Sequence, residues 1–160
     1  MTTSIFFDAS HGCCQLTGRS ITGMVTYAGR TPVTWCTKRQ GAVETSTCGA
    51  EFIAGRTAAE TAVAIRYLLR SLGVPLKGST TLLGDNEGMI KSATNHDAIL
   101  KKKHCALSWH KVRECVAAGY ITNRWIATNL NRSNLLTKAL SGANLRRESE
   151  LIWSDKHETN

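Results

Sequence analysis

Acidic residues are scarce in this chain, and three of its twelve carboxylates fall where water is hardest to reach. Asp8 directly follows Ile5-Phe6-Phe7, an expensive setting for a carboxylate without a partner. Glu51 lies on the apolar stripe of a long helical stretch, one turn before Gly55 and two before Ala58. Small side chains there let a helix approach a sheet closely. Asp85 closes the run Thr80-Thr81-Leu82-Leu83-Gly84 and stands with Asn86 at the mouth of a short helical segment. Carboxylates converging from a strand, a helix and a strand end repel one another unless cations lie between them. Oxygen-only ligation suits hard ions such as Mg²⁺ or Mn²⁺. Two such ions about 3.5–4 Å apart can generate the attacking hydroxide and stabilise the leaving oxygen of a phosphodiester displacement. Each residue also has an ordinary reading: Asp8 as a turn former, Glu51 as a solvated helix-start residue, Asp85 as a helix cap. Taken together they favour the metal reading.

The elements that must carry these residues are legible from periodicity. Ser4–Ser10 reads as a short apolar strand, and Ile21–Ala28 alternates as a second. The turn Gly29-Arg30-Thr31-Pro32 leads to a third strand through Val33-Thr34-Trp35-Cys36, giving an antiparallel meander. From Ala50 to Leu72 the period changes. Glu51, Gly55, Ala58, Ala62, Ile65, Leu69 and Leu72 recur at steps of four and three, the face of one long helix. Gly73 and Pro75 stop it. Thr80–Gly84 is a fourth strand, with Asp85-Asn86 capping the short helix that Glu87 begins. After a basic loop, Cys105, Trp109, Val112 and Val116 mark another amphipathic helix, ended by Gly119. Tyr120–Ala127 reads as a fifth strand, followed by a short helix around Leu135-Leu136 and a terminal helix through Leu145 to Trp153. The order β-β-β-α-β-α-α-β-α predicts an α/β fold with a five-stranded mixed sheet and helices packed on it. It is not the regular alternation of a dinucleotide-binding fold, and neither G-x-G-x-x-G nor a Walker loop is present.

With 160 residues, 42% of them hydrophobic and 20% charged, the chain reads as one soluble domain. Its core is expected over about residues 4–142 and a C-terminal helix over about 143–155. No apolar run approaches a membrane span, and the opening MTTSIFFDAS is too short and polar for a signal peptide. The six cysteines include the adjacent pair Cys13-Cys14 but no C-x-x-C pair, so buried or free thiols in a reducing compartment are the simplest reading. The net charge of +8 is spread along the chain rather than confined to a tail. A basic domain attracts polyanions, phosphate backbones above all.

The stretches FFDASHG, GRSITGMVTYAGRTPVTWCTKRQ, VETSTCGAEFIAG, TLLGDNEGMI, KKKHCALSWHKVRECV and NLLTKAL occur in an order that resembles the RNase H domain of copia-type LTR retrotransposon polyproteins. That family shows D-A near the start, a P-I-S-W-x-S-K-x-Q hairpin and an S-S-x-E-A-E-Y helix start. Further on it has a C-D-N strand end, a K-H-I-x-x-x-x-H helix and a closing A-D-I-L-T-K-P-L. The collinear likeness runs from about Ile5 to Leu140. It implies an RNase H-like fold and cleavage of the RNA strand of RNA–DNA hybrids with two Mg²⁺ or Mn²⁺ ions. Residue by residue, it makes Asp8, Glu51 and Asp85 catalytic metal ligands. The fourth ligand should be the Asp of A-D-I-L-T-K, and here that position is Asn134 in Ser133-Asn134-Leu135-Leu136-Thr137-Lys138. An amide keeps an oxygen donor but loses a full charge, so weakened activity is the expected consequence. The likeness also implies an RNA–DNA hybrid as partner and a reverse transcriptase domain of the same polyprotein. The corresponding setting is the cytoplasm, nucleus or a virus-like particle, with no membrane involved.

Other residues are candidate nucleic-acid contacts. Lys101, Lys102, Lys103 and His104 could grip phosphates or form a solvated basic run, and Lys38 and Arg39 on the hairpin could touch the hybrid. Trp35 beside them reads as core. Asn86 could bond a ribose 2′-hydroxyl, the group that separates RNA from DNA. Ser46, Thr47 and Cys48 at the long helix's start could offer backbone donors to a phosphate. His110, six residues beyond His104, is a possible auxiliary in substrate or product handling. Two other readings remain: a non-catalytic module that binds hybrid or structured RNA, and a related metal-dependent nuclease or strand-transfer enzyme.

Overall fold

The computed structural model describes residues 1–100 and 103–153. Five strands form one mixed sheet in the order β3-β2-β1-β4-β5. Strands β1 (Thr3–Ser10), β2 (Ile21–Ala28) and β3 (Thr31–Arg39) are the antiparallel meander. Strands β4 (Thr80–Gly84) and β5 (Ile121–Trp125) extend it in parallel from the other side of β1. Helix α1 (Thr47–Ser71) starts where the Ser46 hydroxyl accepts a hydrogen bond from the Gly49 N–H at 3.1 Å. It ends at Gly73, whose φ of +72° suits a left-handed stop. Helices α2 (Glu87–Thr94), α3 (Ala106–Ala117) and α4 (Gly142–Trp153) follow as the periodicity predicts.

Two apolar clusters sandwich the sheet. Ile5, Phe7, Met24 and Leu82 pack under α1, α2 and α3 with Phe52, Ala58, Ala62, Met89, Trp109 and Val112. The opposite face buries Phe6, Val25 and Tyr27 against Leu83, Ile126, Leu136 and Ile152, the last from α4. The alternation in Ile21–Ala28 therefore does not mark a half-solvated strand: Thr22 through Tyr27 are buried on both faces. Arg132 is buried as well, its guanidinium 5.0 Å from the ring centroids of both Phe6 and Tyr27. Trp35 departs from the expected core position and is 59% exposed. It stands in register with Val25 on the edge strand, beyond the layer that seals Val25.

After β5 the chain crosses this second face, and Asn131 ties it down. That fully buried side chain donates to the Phe7 carbonyl at 3.0 Å and accepts from the Ser133 hydroxyl at 2.6 Å. A short 3₁₀ turn, Asn134–Leu136, follows, and the Thr37 hydroxyl donates to the Leu136 carbonyl at 3.1 Å. The crossing runs so close to β2 that Gly23 has no room for a side chain. A Cβ there would sit 2.7 Å from Thr137 Cγ2, 2.8 Å from Leu136 Cβ and 3.1 Å from the Ser133 carbonyl oxygen. Gly23→Ala should therefore lift the closing segment and cost about 1–3 kcal/mol by urea unfolding. An unchanged midpoint would show that the segment gives way freely.

Candidate active site

Asp8 and Asp85 meet because they hold equivalent positions on two neighbouring parallel strands, Asp8 within β1 and Asp85 just past the end of β4. The last registered pair of β1 and β4 is Phe6 with Leu83, and each carboxylate lies two residues beyond it, at the carboxyl ends of the strands. Such strand ends are the usual place for ligands in sheets with parallel connections. Glu51 arrives from the second turn of α1. That helix comes close through Gly55, where an added Cβ would strike Met89 and stand 3.5 Å from the Phe7 ring. One carboxylate oxygen from each of Asp8, Glu51 and Asp85 lies within 4.8 Å of the others. Asp8 and Glu51 are buried and Asp85 is partly open, so the cluster faces solvent on the Asp85 side.

The charges are poorly compensated. Burial, then the neighbouring Asp8 and Asp85, pushes Glu51 up to about 9, with the Ala9 N–H and Lys138 pulling weakly the other way. Burial and Asp8 also raise Asp85, opposed by the Thr128 hydroxyl and Lys138. The Oε2 atom of Glu51 is buried without a hydrogen-bond partner. Three converging oxygen donors, one of them unpartnered, fit a hard divalent cation.

The closing segment supplies the rest of the site. The Thr137 hydroxyl donates to Asp8 Oδ2, and Lys138 Nζ lies 3.6 Å from the same oxygen. Asn134 is buried beside them, with both ends of its amide engaged. Its Nδ2 donates to the Thr128 carbonyl, and its Oδ1 accepts from Lys138 Nζ at 2.6 Å. The residue expected as a fourth metal ligand thus holds a lysine. Thr137 and Lys138 stand inside the quoted closing motif, but periodicity gave no sign that the turn after Asn134 would aim them at Asp8.

The remaining candidates are dispersed. Lys38 and Arg39 are exposed on β3 just past Thr37, the residue in line with Gly23 and Asp8 across the sheet. Asn86 caps α2, accepting from the Met89 N–H at 2.9 Å. At the start of α1 the buried carboxylate of Glu44 packs so tightly that a Cβ on Gly49 would collide with it. A phosphate approaching Ser46, Thr47 and Cys48 would meet that like charge. His104 Nε2 lies 3.2 Å from Glu44 Oε2, so this histidine is engaged locally. Lys103 is exposed in the 3₁₀ turn before α3, and Lys101 and Lys102 lie outside the described residues. His110 lines a depression of about 380 Å³ with His96, Arg113 and Glu114, and none of the three carboxylates borders it. Among the described residues no helix is long and apolar enough to cross a membrane.

No protein-family model matches the chain. Among solved structures it resembles RNase H1 from Halobacterium salinarum, with a TM-score of 0.65 and 16% identity over 86% of this chain and 95% of that one. It also resembles LC11-RNase H1 in complex with RNA/DNA hybrid, at 0.62 and 14%, covering 85% and 94% respectively. The fold is that of the RNase H-like proteins. A retrovirus-related Pol polyprotein from transposon RE2 of Arabidopsis thaliana is 30% identical over 125 residues, 76% of this chain. The corresponding polyprotein of transposon RE1 matches over the same span at the same identity. The chain belongs with these retrotransposon Pol proteins, and it spans 8% of the length of each.

The raised Glu51 predicts a pH dependence. Its folded form keeps a proton that the unfolded chain releases above about 4.5, so its contribution to stability falls as pH rises toward 9. In EDTA, Glu51→Gln should lose that slope and exceed the parent's stability at pH 8 by on the order of 2 kcal/mol. Parallel stability–pH curves for the two proteins would contradict this.

Proposed function

We propose that the chain is an endoribonuclease that cleaves the RNA strand of RNA–DNA hybrids, with Asp8, Glu51 and Asp85 holding divalent Mg²⁺ or Mn²⁺ ions. The observation that carries this reading is the convergence of three ill-compensated carboxylates at the carboxyl ends of β1 and β4 in an RNase H-like fold. Bound there, such ions would activate a water for attack on the phosphodiester and balance charge on the leaving oxygen. The chain's own residues position that chemistry. Asp8 is oriented by the Thr137 hydroxyl, while burial of Glu51 keeps bulk water from its inner side. Lys38 and Arg39, exposed next to the row of Asp8, supply positive charge for the phosphate backbone, and the Lys101–Lys103 run adds more. Asn86, adjoining Asp85, is the candidate contact to a 2′-hydroxyl. The kinship with Pol polyproteins supports a single domain acting beside a reverse transcriptase, in the cytoplasm, nucleus or a virus-like particle.

A second reading, hybrid binding without turnover, is favoured by one feature: Asn134 stands in for an acidic ligand and directs its oxygen to Lys138. Cleavage of a labelled hybrid in Mg²⁺ or Mn²⁺ separates the two. The parent should cut the RNA strand, Asn134→Asp should cut faster, and Asp85→Asn should be slower by at least about 100-fold. If neither the parent nor Asn134→Asp cleaves with either metal, the nuclease reading fails.

A further inference from the structure

The residue that stands out beside the carboxylates is a cation supplied by the chain itself. Lys138 reaches back from the closing segment one helical turn beyond Asn134, and its ammonium is shared between two oxygens: Asn134 Oδ1 at 2.6 Å and Asp8 Oδ2 at 3.6 Å. The amide of Asn134 is anchored at its other end by the Thr128 carbonyl, so the acceptor that steers the lysine is itself fixed. An Asp at 134 would offer a charged ligand to a metal; the Asn offers a neutral one to Lys138. The lysine side chain is 41% exposed and Asp8 only 3%, which places the positive charge at the solvent side of a buried negative one. The charge balance is simple. With all three carboxylates ionised, the state a bound divalent ion would require, one divalent ion and one ammonium neutralise them. A second divalent ion would leave the cluster strongly positive until a phosphate arrives.

We propose that Lys138, steered by Asn134, is a resident counter-ion of the carboxylate cluster that competes with divalent cations for Asp8 and limits the nucleic-acid-free protein to one ion. The inference rests on the metal-binding reading of Asp8, Glu51 and Asp85, and it makes Lys138 a positioning residue rather than a ligand. It gives Asn134 a purpose beyond the loss of a charge: the neutral side chain keeps the lysine available to Asp8 instead of pairing with it outright.

Metal binding in the absence of nucleic acid tests this without any turnover. Mn²⁺ is titrated into metal-free protein and the free ion is read by electron paramagnetic resonance, for the parent, Lys138→Met, Lys138→Arg and Asn134→Ala. The parent should bind one Mn²⁺ per chain. Removing a unit charge this close to a ligand oxygen should tighten binding about tenfold in Lys138→Met. Lys138→Arg should bind as the parent does, and Asn134→Ala, which frees the ammonium, should shift in the direction of Lys138→Met. Far-ultraviolet circular dichroism confirms that each variant is folded, and Lys138→Gln replaces Lys138→Met if the latter is not. Equal or weaker Mn²⁺ binding on removal of the charge overturns the proposal while leaving the nuclease reading intact. Failure of every protein to bind Mn²⁺ overturns both, and tighter binding in Lys138→Met without hybrid cleavage overturns only the nuclease reading.

Discussion

Like charges held together out of water are the constraint around which this structure is arranged. Asp8, Glu51 and Asp85 come from three elements far apart in sequence, yet their oxygens lie within 4.8 Å of one another. Nothing about the individual elements requires this. It follows from the parallel pairing of β1 and β4, whose register sets Asp8 and Asp85 at the same level, and from the close seat of α1 that its small residues permit. The cost appears as the proton that Glu51 retains up to about pH 9. A fold that accepts such a cost at one place carries a local strain that is ordinarily tied to function.

The segment after β5 is what turns a cluster into a site. Asn131 pins it to the Phe7 carbonyl, Gly23 lets it lie against β2, and the 3₁₀ turn then delivers Thr137 and Lys138 to Asp8. The same crossing covers Tyr27 and Phe6, so the second core and the site share one set of contacts. Packing and chemistry are therefore coupled here: loosening the crossing would both uncover the sheet and release the hydroxyl that orients Asp8.

Much of this was legible in the amino-acid sequence, for identifiable reasons. Helix α1 announces itself through six apolar or small positions that continue from Glu51 at steps of four and three, and the meander through alternation and a Gly-Pro turn. Asp8 and Asp85 could be singled out because each terminates an apolar run, and Glu51 because it interrupts an apolar stripe. Where the reading failed, the cause lies in tertiary relations that local pattern does not encode. Trp35 carries the residue type and spacing of a core position, but β3 is the edge strand and the covering layer stops short of it. Asn134 is expected among the ligands by its place in a motif; the structure buries it beside the carboxylates with its oxygen accepting from Lys138, a contact no local pattern encodes. Glu44 drew no notice in a loop, yet its carboxylate occupies the start of α1 and engages His104.

The chemistry of the site turns on whether Asp8, Glu51 and Asp85 together hold a divalent cation. The most direct measurement is the anomalous difference density of crystals soaked in Mn²⁺ with no nucleic acid present. One peak is expected, about 2.0–2.3 Å from oxygens of Asp8, Glu51 and Asp85, with the Lys138 ammonium still nearby. No density between those carboxylates at saturating Mn²⁺, or a peak only at other surface acids, would contradict it.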